Sequence, residues 1–220
     1  TTLHLWDLET GNQVKGLSYD VGLCVVNNLT PSLSPDSTKV SLGLRGKAAI
    51  WDLNSGALLT ELLHDSDKHV SDVDFAPNGL EILTSQDKTI RVWDLRSATV
   101  VAEMSQNAQV MAMTFSPDGK VLASSGERGG VTVRAYASRR ELATLSHPCR
   151  VFSAAFNSDQ TRLFTAADDG VIRIWDLAHF QQVGSLHGHI RYVHSVAFSS
   201  EGELLVSGSG DHSVKLWTPR

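Results

Sequence analysis

The chain has 220 residues, 41% hydrophobic and 20% charged, with a formal net charge of −5, the balance of a globular protein with a sizeable core. The acidic excess argues against a general nucleic-acid binder, which carries a basic face, and no apolar run approaches the roughly 18 residues of a membrane-spanning helix. Two cysteines far apart, Cys24 and Cys149, make no disulfide framework, so a reducing intracellular compartment, cytoplasmic or nuclear, is expected.

From the N-terminus, Thr2 to Leu8 alternates and ends in Trp6-Asp7; Lys47 to Leu53 ends in Trp51-Asp52, and Asp87 to Leu95 in Trp93-Asp94. Asp168 to Leu177 ends in Trp175-Asp176, and Asp211 to Trp217 in Trp217-Thr218. Trp93 and Trp175 lie two intervals apart, and matching Val131-Thr132-Val133 to Ile172-Arg173-Ile174 places Arg134 at the missing Trp position. The steps are then 45, 42, 41, 41 and 42 residues. Each unit has the same order. An alternating strand such as Val70 to Phe75 or Val193 to Phe198 leads to a turn such as Ser34-Pro35-Asp36-Ser37 or Ser116-Pro117-Asp118-Gly119. A short apolar strand, a polar turn, the Trp strand and a fourth strand such as Ala57 to Leu62 follow. Pro at the second turn position followed by Asp or Asn and Gly suits a hairpin, and period-2 strands between regular turn signals predict an all-β fold with no helical segment.

A Trp-Asp ending every 40–45 residues resembles the WD40-repeat family, and the resemblance covers the whole chain. It implies a β-propeller, residues 1–220 forming one propeller domain of about five and a half blades. Seven blades of this length need roughly 294 residues. The start on a third strand, at Thr1 rather than Met, predicts that an N-terminal blade and closing strand of a seven-bladed propeller lie outside this sequence, and with no charged-then-apolar opening secretion is not expected.

The last two units hold a His, a hydroxyl, an Asp and a Trp at matched places: His147, Thr165, Asp169, Trp175 and His189, Ser207, Asp211, Trp217. His189, Ser207 and Asp211 invite a hydrolase reading. The set occurs twice at the repeat spacing, however, and no Gly-x-Ser-x-Gly elbow is present, so no catalytic residue is assigned. The resemblance implies instead a buried chain from Asp to His to Ser or Thr to the indole N–H, in which each group satisfies the next. Thr84, Asp87 and Trp93 keep part of it, with Ser66 at the His place and His64 nearby. Arg45 replaces the Asp of the Trp51 unit, and the Arg134 unit has Gln106 for His and Arg128 for Asp. These units are expected to be held by packing and by their neighbours, and to be places of specialisation or mobility. The cluster His187, His189, His194 and His212 lacks four convergent ligands on shared segments, so no metal is assigned. No cofactor motif appears either.

Recognition remains. The resemblance implies that partner peptides cross the mouth of the central channel, lined by residues flanking the apolar residue that opens each first strand. Carried onto Val70, Val110, Val151 and Val193, the flankers are His69 and Ser71, Gln109 and Met111, Arg150 and Phe152, Tyr192 and His194, with Gln86, Asp168 and Gly210 at the same rim. Aromatic, Arg and Met residues are enriched at interface hot spots. The expected function is a non-catalytic scaffold that docks peptides or subunits in a multiprotein complex. The competing readings are a propeller hydrolase, or an RNA surface on Arg128, Arg134, Arg139 and Arg140.

Overall fold

A computed structural model describes residues 2–6, 9–18, 31–199 and 204–218. Asp7, Cys24 and residues 27–30 and 200–203 lie outside the described residues. All the regular structure described is β. Strands β1 (Thr2–Trp6) and β2 (Gln13–Ser18) pair as a hairpin. Four antiparallel four-stranded sheets follow. Sheet A is β3 (Pro31–Leu33), β4 (Lys39–Gly43), β5 (Lys47–Asp52) and β6 (Leu58–Leu63). Sheet B is β7 (Val70–Phe75), β8 (Glu81–Gln86), β9 (Thr89–Asp94) and β10 (Thr99–Ser105). Sheet C is β11 (Val110–Phe115), β12 (Val121–Gly126), β13 (Gly130–Ala135) and β14 (Glu141–Ser146). Sheet D is β15 (Val151–Phe156), β16 (Arg162–Ala167), β17 (Ile172–Asp176) and β18 (Gln181–Leu186). Sheet E has three strands, β19 (Val193–Phe198), β20 (Leu205–Ser209) and β21 (Val214–Trp217).

Within each full sheet the strands run in chain order, so each is a meander whose first strand packs against the first strand of the next sheet. The second strands β8, β12 and β16 are buried almost throughout, and the fourth strands are mostly exposed. The compositions match. Ile82-Leu83-Thr84-Ser85 and Leu163-Phe164-Thr165-Ala166 are runs without polar alternation, as a strand covered on both faces requires. The core therefore lies between sheets: Leu83, Ile90, Val92 and Met104 of sheet B pack with Met113 and Leu122 of sheet C, and Leu163 and Trp175 of sheet D pack with Val131, Val133 and Leu145 of sheet C. Each sheet rests on its neighbours, the arrangement of repeat proteins in general.

The turns carry the repeated residues. Ser37, Gly79, Gly119 and Gln160 donate their amides three residues back, to Ser34, Ala76, Ser116 and Asn157, and all four have positive φ. The turn ends in a left-handed residue inside a four-residue hairpin loop, closed by Ser34 N to Lys39 O, Ala76 N to Glu81 O, Ser116 N to Val121 O and Asn157 N to Arg162 O. Beside these turns, at the end of the Trp strand, Asp52 accepts from Ser55 N at 2.7 Å, Asp94 from Ser97 N at 2.8 Å and Asp176 from His179 N at 2.9 Å. The Asp after Trp51, Trp93 and Trp175 is thus a turn cap, which satisfies a backbone donor that the ladder leaves open.

Candidate functional site: polar relays and a bulged rim

The relay is complete in sheet E. Trp217 Nε1 donates to Ser207 Oγ at 2.8 Å. Ser207 Oγ and His189 Nε2 are 2.8 Å apart, as are His189 Nδ1 and Asp211 Oδ2. The ionised Asp can only accept, so His189 carries its proton on Nδ1 and takes the Ser207 hydroxyl proton on Nε2. Ser213 and Ile190 N also donate to Asp211 and hold its carboxyl well below the usual range. Ser207 has the hydrogen bonds of a triad serine but is 1% exposed, and the indole N–H occupies its oxygen. No substrate can reach it, which removes the one residue set that favoured a hydrolase.

Sheet D keeps three members. Trp175 Nε1 donates to Thr165 Oγ1 at 2.9 Å, and Thr165 lies 2.7 Å from His147 Nε2. Asp169 departs from the expected chain: its carboxylate takes Arg173 at 2.6 and 3.2 Å and Val171 N at 3.2 Å. His147 Nδ1 faces Leu145 O instead, at 3.0 Å. The reason is local, since Arg173 stands four residues along on the Trp strand and outcompetes a neutral imidazole for the carboxylate. Burial holds His147 down at about 4. In sheet B, Trp93 Nε1 donates to Thr84 at 2.8 Å. Asp87 pairs with Lys68 at 2.6 Å, and His64 packs its ring 5.4 Å from Trp93 with Nδ1 3.3 Å from Arg91.

Sheet C adds to the packing and neighbours expected to hold it a polar substitute for the relay. Arg134 is buried and donates through Nη1 to Ser124 Oγ at 3.3 Å and through Nη2 to Ser105 O at 2.9 Å. Ser124 donates to Gln106 Oε1 at 2.7 Å. Arg134 stands where the indole would, and Gln106 where the imidazole would. The strand Val131-Thr132-Val133-Arg134 held the signal: its alternation puts Arg134 on the face the Trp takes elsewhere, opposite Leu122 and diagonal to Ser124.

The rim depends on a feature the sequence reading missed. In sheets B to E the register of the first strand shifts just after its buried Val, at Val70/Asp72, Val110/Ala112, Val151/Ser153 and Val193/Ser195. Ser71, Met111, Phe152 and His194 are the unpaired residues of these β-bulges, which re-aim side chains away from the ladder. Phe152, Tyr192 and His194 gather there: ring centroids are 4.5 Å apart for Tyr192 and His194, 5.2 Å for Phe152 and His194, and 6.0 Å for Phe152 and Tyr192. Tyr192 rests on Gly210, where a Cβ would overlap its ring. Arg150 lies 5.7 Å from the Phe152 centroid and pairs with Glu127 at 2.7 Å, so its charge is already engaged on the chain. His69, Asp168 and His194 are exposed, while Ser71, Gln109, Met111, Arg150, Phe152 and Tyr192 are half-buried. Gln86 does not belong with them. It is buried, accepts from Ser66 Oγ at 2.9 Å and donates to Lys68 O at 2.7 Å, so it ties down the loop before β7. Among the described residues no three His, Cys, Asp or Glu side chains could hold a metal. His187 faces Ser185 at 2.8 Å, and His189 is committed to its relay.

Stacked four-stranded meanders with a Trp strand held by buried relays define a β-propeller repeat protein. The chain belongs to the WD domain, G-beta repeat family, which matches residues 56–94, 99–133, 139–176 and 180–218. It is similar to the mouse serine-threonine kinase receptor-associated protein, 25% identical over 217 residues, covering 98% of this chain and 60% of that protein. It is also similar to pre-mRNA-processing factor 19 homolog 2 of Arabidopsis thaliana, 31% identical over 186 residues (81% of this chain, 35% of that protein). A third relative is WD repeat and SOCS box-containing protein 1 of Danio rerio, 33% identical over 249 residues (84% and 58%). The chain thus spans about three-fifths of the length of the receptor-associated relatives.

Proposed function

We propose that the chain is a non-catalytic scaffold, intracellular in cytoplasm or nucleus, that docks partner peptides or subunits across the rim made by Arg150, Phe152, Tyr192 and His194. The aromatic cluster carries the reading. Three rings from adjacent sheets lie within 6.0 Å of one another at the start of the first strands, two of them half-buried and His194 exposed. Large, rigid aromatic side chains give contact area at low entropic cost, and the bulges point them away from the ladder. His69, Ser71, Gln109, Met111 and Asp168 complete the face at its margin. An acidic partner residue would have to draw Arg150 from Glu127, so the aromatic groups make the main contacts and Arg150 tunes them. The kinase-receptor association in one relative's name fits this reading. In the full-length protein, Arg150→Glu combined with Tyr192→Ala is expected to abolish capture of protein partners while the protein remains folded. Retention of every partner by a folded double variant would overturn the assignment of this face.

A further inference from the structure

A cavity of about 400 Å³ opens between sheets C and D at the edge opposite the rim, where the first-to-second and third-to-fourth strand turns lie. Its walls are Val121, Val133 and Leu142 of sheet C, with Leu177 and Phe180 of sheet D. Gln160, Thr161 and Asp176 form the polar margin. The volume and the mostly apolar lining with a few polar groups are those of a binding pocket.

The junction between sheets B and C shows what closes the same place one repeat earlier. Glu81 pairs with Asp94 across its sheet as Val121 pairs with Ala135, so the two hold one position. Tyr136 and Leu177 each lie two residues beyond the Trp position, and Arg139 and Phe180 five. There Tyr136 Oη donates to Glu81 at 2.5 Å, Arg139 reaches Glu81 at 3.2 Å, and the Arg139 guanidinium sits 3.8 Å over the Tyr136 ring. An aromatic ring, a cation and a carboxylate fill that crevice from within the chain. In the next crevice all three have become apolar residues, and space remains.

Two details say what it takes. Asp176 uses Oδ2 for His179 N and Nδ1, at 2.9 and 2.7 Å, and these bonds hold its carboxyl below the usual range and ionised. Oδ1 has no hydrogen-bond partner among the described residues and is open to a donor. Arg162 stands opposite on the ladder and its charge also draws the Asp176 pKa down, though no ion pair joins the two among the described residues. Phe180 has φ 55°, at the left-handed turn position that Gly56, Ala98 and Arg139 fill in sheets A, B and C. It sets an aromatic wall on one side of the slot.

We propose that this crevice is a second docking slot, for a partner segment that presents an aromatic side chain next to a basic one. The ring enters between Leu142 and Phe180 and the cation reaches Asp176. The partner brings an aromatic and a cation of the kind that Tyr136 and Arg139 supply within the chain, and the carboxylate it meets is Asp176, one residue after Trp175, not a counterpart of Glu81. The test is methyl NMR of the full-length protein titrated with three blocked dipeptides: acetyl-Tyr-Arg-amide, acetyl-Tyr-Glu-amide and acetyl-Ala-Arg-amide. Only the first is expected to shift the Val121, Val133, Leu142 and Leu177 methyls at millimolar concentration. Leu142→Trp, which fills the slot, and Phe180→Gly, which relaxes the turn and removes the wall, should each weaken it at least tenfold in folded protein. Arg150→Glu with Tyr192→Ala should leave it unchanged, which separates this slot from the rim. No shift of these methyls, equal shifts with the Glu dipeptide, or undiminished binding to folded Leu142→Trp protein would overturn the proposal.

Discussion

Sheets C and E solve one problem with different residues. Both must hold a third strand against a second strand and against the loop that enters the sheet. Sheet E uses Trp217, Ser207, His189 and Asp211, a chain in which every proton has one place. Sheet C uses Arg134, Ser124 and Gln106 with Ser105 O, and its cation is only loosely balanced by Glu141 at 3.7 Å. Burial pulls the Arg134 pKa down, the expected direction for a desolvated cation. The hydroxyl is common to both and the groups on either side are exchangeable. The repeat therefore conserves a hydrogen-bonding task more strictly than a residue list. The difference is cost: a neutral indole and imidazole lose little on burial, whereas a guanidinium must replace its hydration with bonds from the chain.

That contrast sets the largest expected effect. Arg134→Ala removes a buried side chain and leaves Ser124 and Ser105 O without their donor, so it should destabilise by about 3 kcal/mol. His189→Ala interrupts a relay of better matched groups and should cost about 2–3 kcal/mol. Denaturant unfolding of both variants checks the order. A loss for Arg134→Ala well below that of His189→Ala would mean that sheet C draws little from its guanidinium and is held by packing after all.

Much of the fold was legible because each unit repeats both its period and its turn chemistry. Trp6, Trp51, Trp93, Trp175 and Trp217 fix the spacing, and the Pro-Asp or Pro-Asn-Gly turns fix the hairpins. The relay members in sheet E were legible as residue types, and their bonds follow from the spacing. Asp169 was not, because its choice of Arg173 over His147 turns on two charged groups meeting on one strand face. Gln86 was misplaced because a residue beside a turn can point inward as easily as outward, and Ser66 and Lys68 O offer it partners inside. The bulges that aim Phe152 and His194 were invisible, since no Gly or Pro marks them; they follow from how the first strand meets the second. The C–D slot is legible only in retrospect, when Val121, Leu177 and Phe180 are set against Glu81, Tyr136 and Arg139.

The same comparison extends to the inner strands, with a smaller effect. Asp74 on β7 accepts from Ser32 Oγ of sheet A at 2.9 Å, while Asp72, two residues earlier, accepts from Met113 N of sheet C at 2.6 Å. Together they join three sheets, but unlike the sheet E relay they place two carboxylates side by side. Burial and then the Asp72 charge push Asp74 up to about 7. The unfolded chain titrates this group near 3.8, so the folded state binds the proton more tightly between these values. Its contribution is fully present below the unfolded value and is lost as pH rises through about 7. Asp74→Asn keeps an acceptor for Ser32 and discards the charge. The variant should match the parent near pH 4 and exceed it by on the order of 1–2 kcal/mol at pH 8. His147 works in the opposite sense: held down at about 4 by burial, it favours the fold above its unfolded value of 6.5 and ceases to do so as pH falls through about 4. The parent's pH profile contains both, and the difference between parent and Asp74→Asn isolates the carboxylate. Thermal melts across pH 4–8 read it directly; a difference that stays constant across the range would assign the titration to another group and leave Asp74 ionised between its neighbours.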